Sequence, residues 1–589
     1  MTRRYFEEEM RYLENAAKVF AENHPEQARR LNLDSVDDRD PYVERLFEGF
    51  AVLSGRVHER LDNEMPEYTE RLLELLAPQF LKPIPALSIV QLQPKPDVVQ
   101  NTAVLERGTE VRSAPVGPRN LRCRFQTTRD VRLQPLRLDD VALRYDRDNT
   151  SAVRLRFTLD RGADLEALDL SRLRLYFHAE APTASTMHLY FTRRVTRVAL
   201  SPLQGEPSTV LRGQEWVAPV GMASDQRLLP TPEGVFSGFR LLQEYLCYRR
   251  NFWFVDIRGV DRMDATDADG LEVDVGFDRP YPEERRFERE HLRLFCTPVV
   301  NLFEKEAEPI RNDAETREHR IVPSAQYPDG IRTYDVQSVT GTSPGTDERA
   351  EYSPFLALHN ASPNGRSPAR EERTYTVHRR PGPDGRHHAY LSLGGAPNLS
   401  PSDRPREVLS LSLRCTNGSL PREALTEGMI DRFAAEVPDL ATPRNLTRPT
   451  QVLPPPRRDD DGYFWSLLSH WSLNYRSVAS PEALTRLIRL YDWTDGPANR
   501  RRRAGLQRVG WEPKEMIERG GVVRGTEVTL EVNSDHFADE GDLCLFGLVM
   551  SRFLSSYSTI NSFVHFIITT ASSDKQYEWT PRRGTRPLL

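Results

Sequence analysis

The chain has 589 residues, too many for one hydrophobic core, so three or four domains are expected. With 38% apolar and 28% charged residues and 44 prolines, it reads as a soluble globular protein with many strand edges and ordered loops. The net charge of −6 resides entirely in residues 1–85, which hold 12 basic and 18 acidic side chains; the balanced remainder lacks the basic face of a general nucleic-acid binder.

Residues 1–80 read as helices. Phe6, Met10, Leu13, Ala17 and Phe20 recur at spacings of four and three and form one apolar stripe. His24-Pro25 ends that helix, and Asp40-Pro41 supplies an N-cap and a proline at the first turn of the next. Val43, Leu46, Phe50, Leu53, Val57 and Leu61 make the second stripe, and Pro66 opens a third segment with Leu72, Leu73, Leu75 and Leu76. Helices this amphipathic need a partner surface, either the rest of the chain or another subunit.

Lys82-Pro83-Ile84-Pro85 reads as a stiff linker, because each residue before a proline is driven to an extended conformation. The apolar period then falls to two. Strands are predicted at 87–93, 153–159, 173–177, 252–257, 271–277 and 292–295, with a short helix over 183–190. More strands follow at 331–339, 375–378, 389–393 and 408–414, and the Ser-, Pro-, Gly- and Asn-rich stretch 341–370 reads as an exposed loop. Five prolines between 443 and 456 mark a semi-rigid linker. The last part mixes helices (464–473, 481–491, 543–557) with strands (526–532, 562–570). The expected fold class is α+β and multidomain. A helical segment at 1–85 precedes β-rich domains with short helices at 86–330 and 331–455, and a mixed domain at 456–589.

No catalytic arrangement survives its structural requirement. Gly341-Thr-Ser-Pro-Gly345 matches the nucleophile-elbow pattern, yet Pro344 has no N–H to serve as an oxyanion donor. The calcium-loop likeness at Asp264–Gly270 fails because the first and twelfth ligand positions fall on Ala265 and Gly276. The five cysteines are far apart and form no CxxC pair, which predicts neither disulfides nor zinc but a reducing cytoplasm. His387-His388 reads as surface. Arg500–Arg503 is the one basic run, able to meet phosphate, lipid head groups or an acidic protein face; a solvated loop is the plainer reading. A charged start from Arg3 to Glu9 argues against a signal peptide, and no apolar run approaches the roughly 20 residues that span a bilayer. No cofactor, metal or catalytic residue is expected.

The motifs that stand out are not chemical. Tyr5-Phe6-Glu-Glu-Glu-Met-Arg-Tyr12-Leu13 is followed by His24-Pro25, Asp40-Pro41-Tyr-Val-Glu-Arg-Leu46, Glu48-Gly-Phe-Ala51 and Pro78-Gln-Phe-Leu-Lys-Pro83-Ile-Pro85. Further on come Cys296-Thr-Pro-Val-Val-Asn-Leu-Phe-Glu304, Cys415-Thr-Asn417, Ser472-Leu-Asn-Tyr475, Arg524-Gly-Thr-Glu-Val528, Leu545-Phe-Gly547, Ser558-Thr-Ile-Asn-Ser562 and Trp579-Thr-Pro-Arg582. In this order, end to end, the chain resembles TssF, the baseplate subunit family of type VI secretion, itself similar to wedge proteins of contractile phage tails. Arg476 and Gln79 depart from the family's usual residues.

The resemblance implies a structural, non-enzymatic role in the cytoplasm, recruited to the inner membrane through the assembled baseplate without inserting in it. It implies two copies of the chain joined to one TssG, with TssE and TssK completing the wedge and contacts extending to the spike hub and sheath. On that basis Phe6, Met10, Leu13, Phe20, Val43, Leu46, Phe50 and Leu53 are expected at a helical interface with TssG and the second copy. Trp579 and Arg582 are expected in a tail that docks on a neighbour. Two alternatives stay open at this point: a wedge of another contractile particle, and a β-rich cell-wall hydrolase.

Overall fold

A computed structural model describes the chain from residue 82 onward except for 97, 204–208, 231–237, 265–267, 314–315, 317, 344–348, 356–372, 382–386, 395–406, 456–462, 464–466, 468–479, 519–520, 572–574 and 585–589. Of residues 1–81 it describes 6, 10–13, 17, 42, 45–54, 72–74 and 77–81. The fold is mixed α and β, rich in sheet, and divides into two compact units.

The smaller unit comprises 1–81 and 456–472. Its described residues 6, 10–13, 17, 42, 45–54 and 72–74 are helical, and a short 3-10 turn covers Pro78–Leu81. Buried side chains here are Ala17, Ala51, Leu73, Ala77, Phe80, Tyr463 and Leu467. Among the described residues, three of these seven buried side chains are alanine.

The larger unit comprises 82–455 and 473–589. A six-stranded sheet orders its strands as Ile430–Phe433, Glu110–Val116, Leu121–Thr127, Cys296–Val300, Leu87–Pro94 and Ala441–Asn445. It draws on both the 86–330 and the 331–455 segments: Val90 lies opposite both Thr297 and Asn445. The proline-rich entry is pinned to this unit. Ile84 and Leu453 exchange backbone hydrogen bonds of 2.8 and 3.0 Å, and Lys82 pairs with Asp335 at 2.8 Å.

The sheet around Glu407–Thr416 shows how the period-two pattern works. Leu409, Leu411, Leu413 and Cys415 point inward and are fully buried, together with Phe303, Val339 and Leu391 from neighbouring strands. Strand Arg349–Pro354 belongs to this sheet, which corrects the expectation of loop through 341–370; residues 356–370 lie outside the described residues. Strand His387–Gly394 begins at the histidine pair, and half-buried His388 lies 3.0 Å from Arg320.

The C-terminal elements surround the helix Glu540–Ser556, which is buried on nearly every side. It lies against the sheet Leu506–Glu518, Gly521–Val532, Phe563–Thr570 and Gln576–Arg583, and against the helices Ala181–Arg193 and Gly238–Cys247. Gly541 permits that approach, since a Cβ there would collide with the Ser185 carbonyl. The helix Pro481–Tyr491 starts where predicted. Ser480 Oγ accepts from the Ala483 N–H at 3.2 Å, Pro481 occupies the first turn, and Tyr491 stacks on Phe239 at 4.8 Å.

Candidate protein-interaction site

Among the described residues, helical residues 45–54 carry a clear exposed apolar face. Leu46, Phe50 and Leu53 recur at spacings of four and three, so they share one face. They are 71, 58 and 64% exposed. Ala51 is fully buried and Phe47 half-buried. The helix is thus anchored by small and partly covered side chains and presents its bulkiest ones outward. Covering one large apolar side chain is worth about 1.5–3 kcal/mol, and a contiguous apolar face of this kind marks an interaction surface.

Of the residues expected at the interface, Leu46, Phe50 and Leu53 share this face. Phe6, Met10 and Leu13 are half-buried, ahead of buried Ala17. Phe20 and Val43 lie outside the described residues.

Trp579 is placed differently from the expectation of a docking tail. It sits on the strand Gln576–Arg583, only 5% exposed, 5.5 Å from the Phe566 ring. The Arg193 guanidinium covers the indole at 4.7 Å and donates to the Glu578 carbonyl at 2.9 Å. Gly547 makes room, because any Cβ there would run into the ring. Two of the motifs read in the sequence, Leu545–Gly547 and Trp579–Arg582, therefore meet inside one domain, and Trp579 is a core residue of its own chain. Arg582, three residues on, is half-buried opposite Val564.

Arg500–Arg503 is neither a loop nor a free basic patch. It lies on the helix Pro497–Ala504, with Pro497 in its first turn. Arg502 turns inward, its Nε 3.0 Å from both carboxylate oxygens of Asp542, and its Nη1 donates to Asn499 at 2.7 Å. Arg503 pairs with Asp492 at 3.0 Å and with Asp495 at 2.9 Å, and Arg500 with Asp495 at 2.6 Å. The hydrogen bonds from Arg500 and Arg503 hold the Asp495 carboxyl down at about 2. Three of the four charges are thus paired with carboxylates within the fold.

Other motif residues also brace the fold. Asn301 Oδ1 accepts from the Asn417 N–H and the Thr416 hydroxyl, both at 2.7 Å. Asn301 Nδ2 donates to the Arg124 carbonyl at 2.7 Å and to Asn417 Oδ1 at 2.8 Å. Asn417 in turn accepts from the Arg124 N–H at 3.0 Å and donates to the Gly330 carbonyl at 2.9 Å. These buried amides tie Cys296–Glu304 to Cys415–Asn417 and satisfy backbone groups that would otherwise be stranded.

Gly341 lies in the strand Arg332–Thr342, away from any strand-to-helix turn; Pro344 and Ala265 lie outside the described residues. Among the described residues no cluster of three or more His, Cys, Asp or Glu is arranged to hold a metal, and no helix is long and apolar enough to cross a membrane.

One exposed feature escaped the sequence reading. Ile517 and Val522 face each other across the end of the hairpin Leu506–Glu518/Gly521–Val532 and are 80 and 65% exposed. The signal was available: apolar residues on both sides of a Gly520-Gly521 turn.

The family model for the type VI secretion system protein TssF matches residues 1–586. A type VI secretion system component, TssF1 of Pseudomonas aeruginosa, is 30% identical over a 629-residue alignment covering 99% of each chain. A chain in a cryo-electron microscopy structure of a TssK-TssF-TssG baseplate subcomplex is similar at a TM-score of 0.80 and 34% identity, over 92% of this chain and 99% of that one. A chain of a type VI baseplate complex matches over the full length of both at a TM-score of 0.63 and 33% identity. The match along nearly the whole chain sets aside both the hydrolase and the wedge of another contractile particle: this chain belongs to the TssF family of the type VI secretion system, a non-enzymatic component of the baseplate.

Proposed function

We propose that the chain is a wedge subunit of the baseplate, joining as two copies with one TssG, and that TssE and TssK complete the wedge beneath the sheath. The reading rests on one observation: Leu46, Phe50 and Leu53 stay exposed on a helix whose Ala51 is fully buried and whose Phe47 is half-buried. A similar chain occurs in a subcomplex named for TssK, TssF and TssG, which supports the choice of partners. In this reading residues 1–80 enter a helical bundle with TssG and the second copy, the fold's small apolar anchors leaving bulky side chains free for the partners. Co-expression with the TssG from the same genome, followed by native mass spectrometry, tests it. The expected species holds two copies of this chain and one TssG, and deletion of 1–80 abolishes it. Unchanged complex formation by the deletion variant overturns the assignment of the interface; absence of any complex with the full chain overturns the wedge role.

A further inference from the structure

The hairpin Leu506–Glu518/Gly521–Val532 outruns the sheet it belongs to. Its second strand pairs with Phe563–Thr570 from Thr526 onward. Among the described residues, the five cross-strand pairs beyond that point, from Lys514 opposite Gly525 to Glu518 opposite Gly521, have strand neighbours only in each other. They make a two-stranded ribbon roughly 15 Å long. Its base is fixed. A Cβ at Gly525 would strike the Phe563 ring and carbonyl, so the ribbon leaves the sheet in close contact with that strand. Lys514 pairs with Glu527 and lies 2.8 Å from His565 Nδ1. Further out, Glu515 and Arg524 face each other at 3.2 Å and offset each other's charge. The end is apolar. Ile517 lies opposite Val522, and the two are 80 and 65% exposed. Met516 lies opposite Val523 on the other face of the ribbon, both half-buried.

Exposed apolar side chains at the free end of a two-stranded ribbon stabilise it little, and they invite association with other chains. Three features define what covers them. Apolar side chains stand on both faces of the ribbon, so a cleft fits it better than a flat surface. The charged pair behind the tip is internally matched, so recognition is apolar rather than electrostatic. Four side chains cannot bury the roughly 1,200 Å² of a stable stand-alone interface, which argues against a tip-to-tip dimer of two free copies. The contact instead suits an assembly already held together elsewhere. We infer that this ribbon is a finger whose tip, Ile517 and Val522, inserts into an apolar cleft on a different subunit of the wedge. The inference rests on the proposed assembly role and adds a second contact surface, on the larger unit and separate from the helical face at Leu46, Phe50 and Leu53.

The test uses the full chain, co-expressed with TssG, TssE and TssK from the same genome. A photo-reactive benzoylphenylalanine replacing Ile517 should crosslink to one of those subunits, and peptide mass spectrometry should place the adduct among apolar side chains. The same probe replacing Leu46 reports on the helical interface independently. I517T/V522T keeps β-branched residues in both strands, so the isolated chain should unfold at the wild-type temperature. Its capture of the crosslinked subunit should weaken about tenfold. Adducts from position 517 that reach only this chain, its own or a second copy told apart by mixing isotopically labelled and unlabelled chains, overturn the finger. So do the absence of any adduct and wild-type capture by I517T/V522T. A lower unfolding temperature for that variant makes the tip a structural element and overturns it as well. In each of these cases an adduct between the Leu46 probe and TssG leaves the wedge reading standing. If wild type assembles with no partner, both fall together.

Discussion

Arg502 places its Nε 3.0 Å from each carboxylate oxygen of Asp542, and the two side chains are 6 and 1% exposed. Asp542 also takes a hydrogen bond from Arg249 and another from the Ala538 N–H at 3.1 Å. One carboxylate thus joins the helices Pro497–Ala504 and Glu540–Ser556 to the turn Arg249–Phe252. Asp542→Asn leaves two buried cations short of a counter-charge, and a loss of about 3–5 kcal/mol is expected in urea unfolding. Arg500→Ala, which breaks only the exposed pair with Asp495, should cost under about 1 kcal/mol. Equal losses for the two variants would contradict the hub.

The contrast shows where sequence reading stops. Helix Pro481–Tyr491 was legible because Ser480, Pro481 and the stripe Leu484, Leu487, Ile488 and Tyr491 all agree. Strand Glu407–Thr416 was legible because alternation alone decides which face is buried. Arg500–Arg503 was not, because four like charges in a row carry no apolar period, and the acid that draws Arg502 inward is forty residues away. The pairing of Leu87–Pro94 with Ala441–Asn445 is likewise set by tertiary packing, which local pattern does not encode. At the candidate site the apolar stripe holding Leu46, Phe50 and Leu53 was readable, but the outward orientation of these three was not: periodicity gives a face and not what covers it.

The Trp579–Gly547 contact yields a second prediction. Trp579→Ala should cost about 3–5 kcal/mol by cavity formation. Gly547→Val should cost about 1–3 kcal/mol by forcing the indole aside, despite adding apolar area. Truncation after Thr570 removes the strand that pairs with Phe563–Thr570, so it is expected to expose the C-terminal sheet to limited proteolysis. Resistance equal to wild type would return Trp579 to the role of a docking residue.

His188 gives a pH signature. It is 2% exposed on the helix Ala181–Arg193, with no partner for Nε2; burial, then the Arg249 charge, lowers it to about 4. The unfolded chain therefore takes up a proton near pH 6.5 that the folded chain refuses until about pH 4. Stability is lost as pH falls through this window, by roughly 3 kcal/mol at its lower end. His188→Leu removes the term, so the stability gap between variant and wild type should move by that amount in the variant's favour between pH 7 and pH 4.5. Parallel pH profiles would exclude it.

The exposed face at Leu46, Phe50 and Leu53 separates folding from assembly. Each side chain is more than half exposed, so charge substitution there removes little packing and should alter stability by no more than about 0.5 kcal/mol per site. In a bundle with a partner helix the same three positions would each lose about 1.5–3 kcal/mol of burial and place a carboxylate in an apolar seam. L46E/F50E/L53E is therefore expected to unfold at the wild-type urea midpoint yet fail to capture TssG in co-purification. Ala51→Glu, at a fully buried neighbour on the same helix, should do the reverse first: it should lower the midpoint before any partner is added. A triple variant that binds TssG as tightly as wild type would show that the partner covers some other surface. A triple variant that is itself unfolded would show that the face is already covered within the chain.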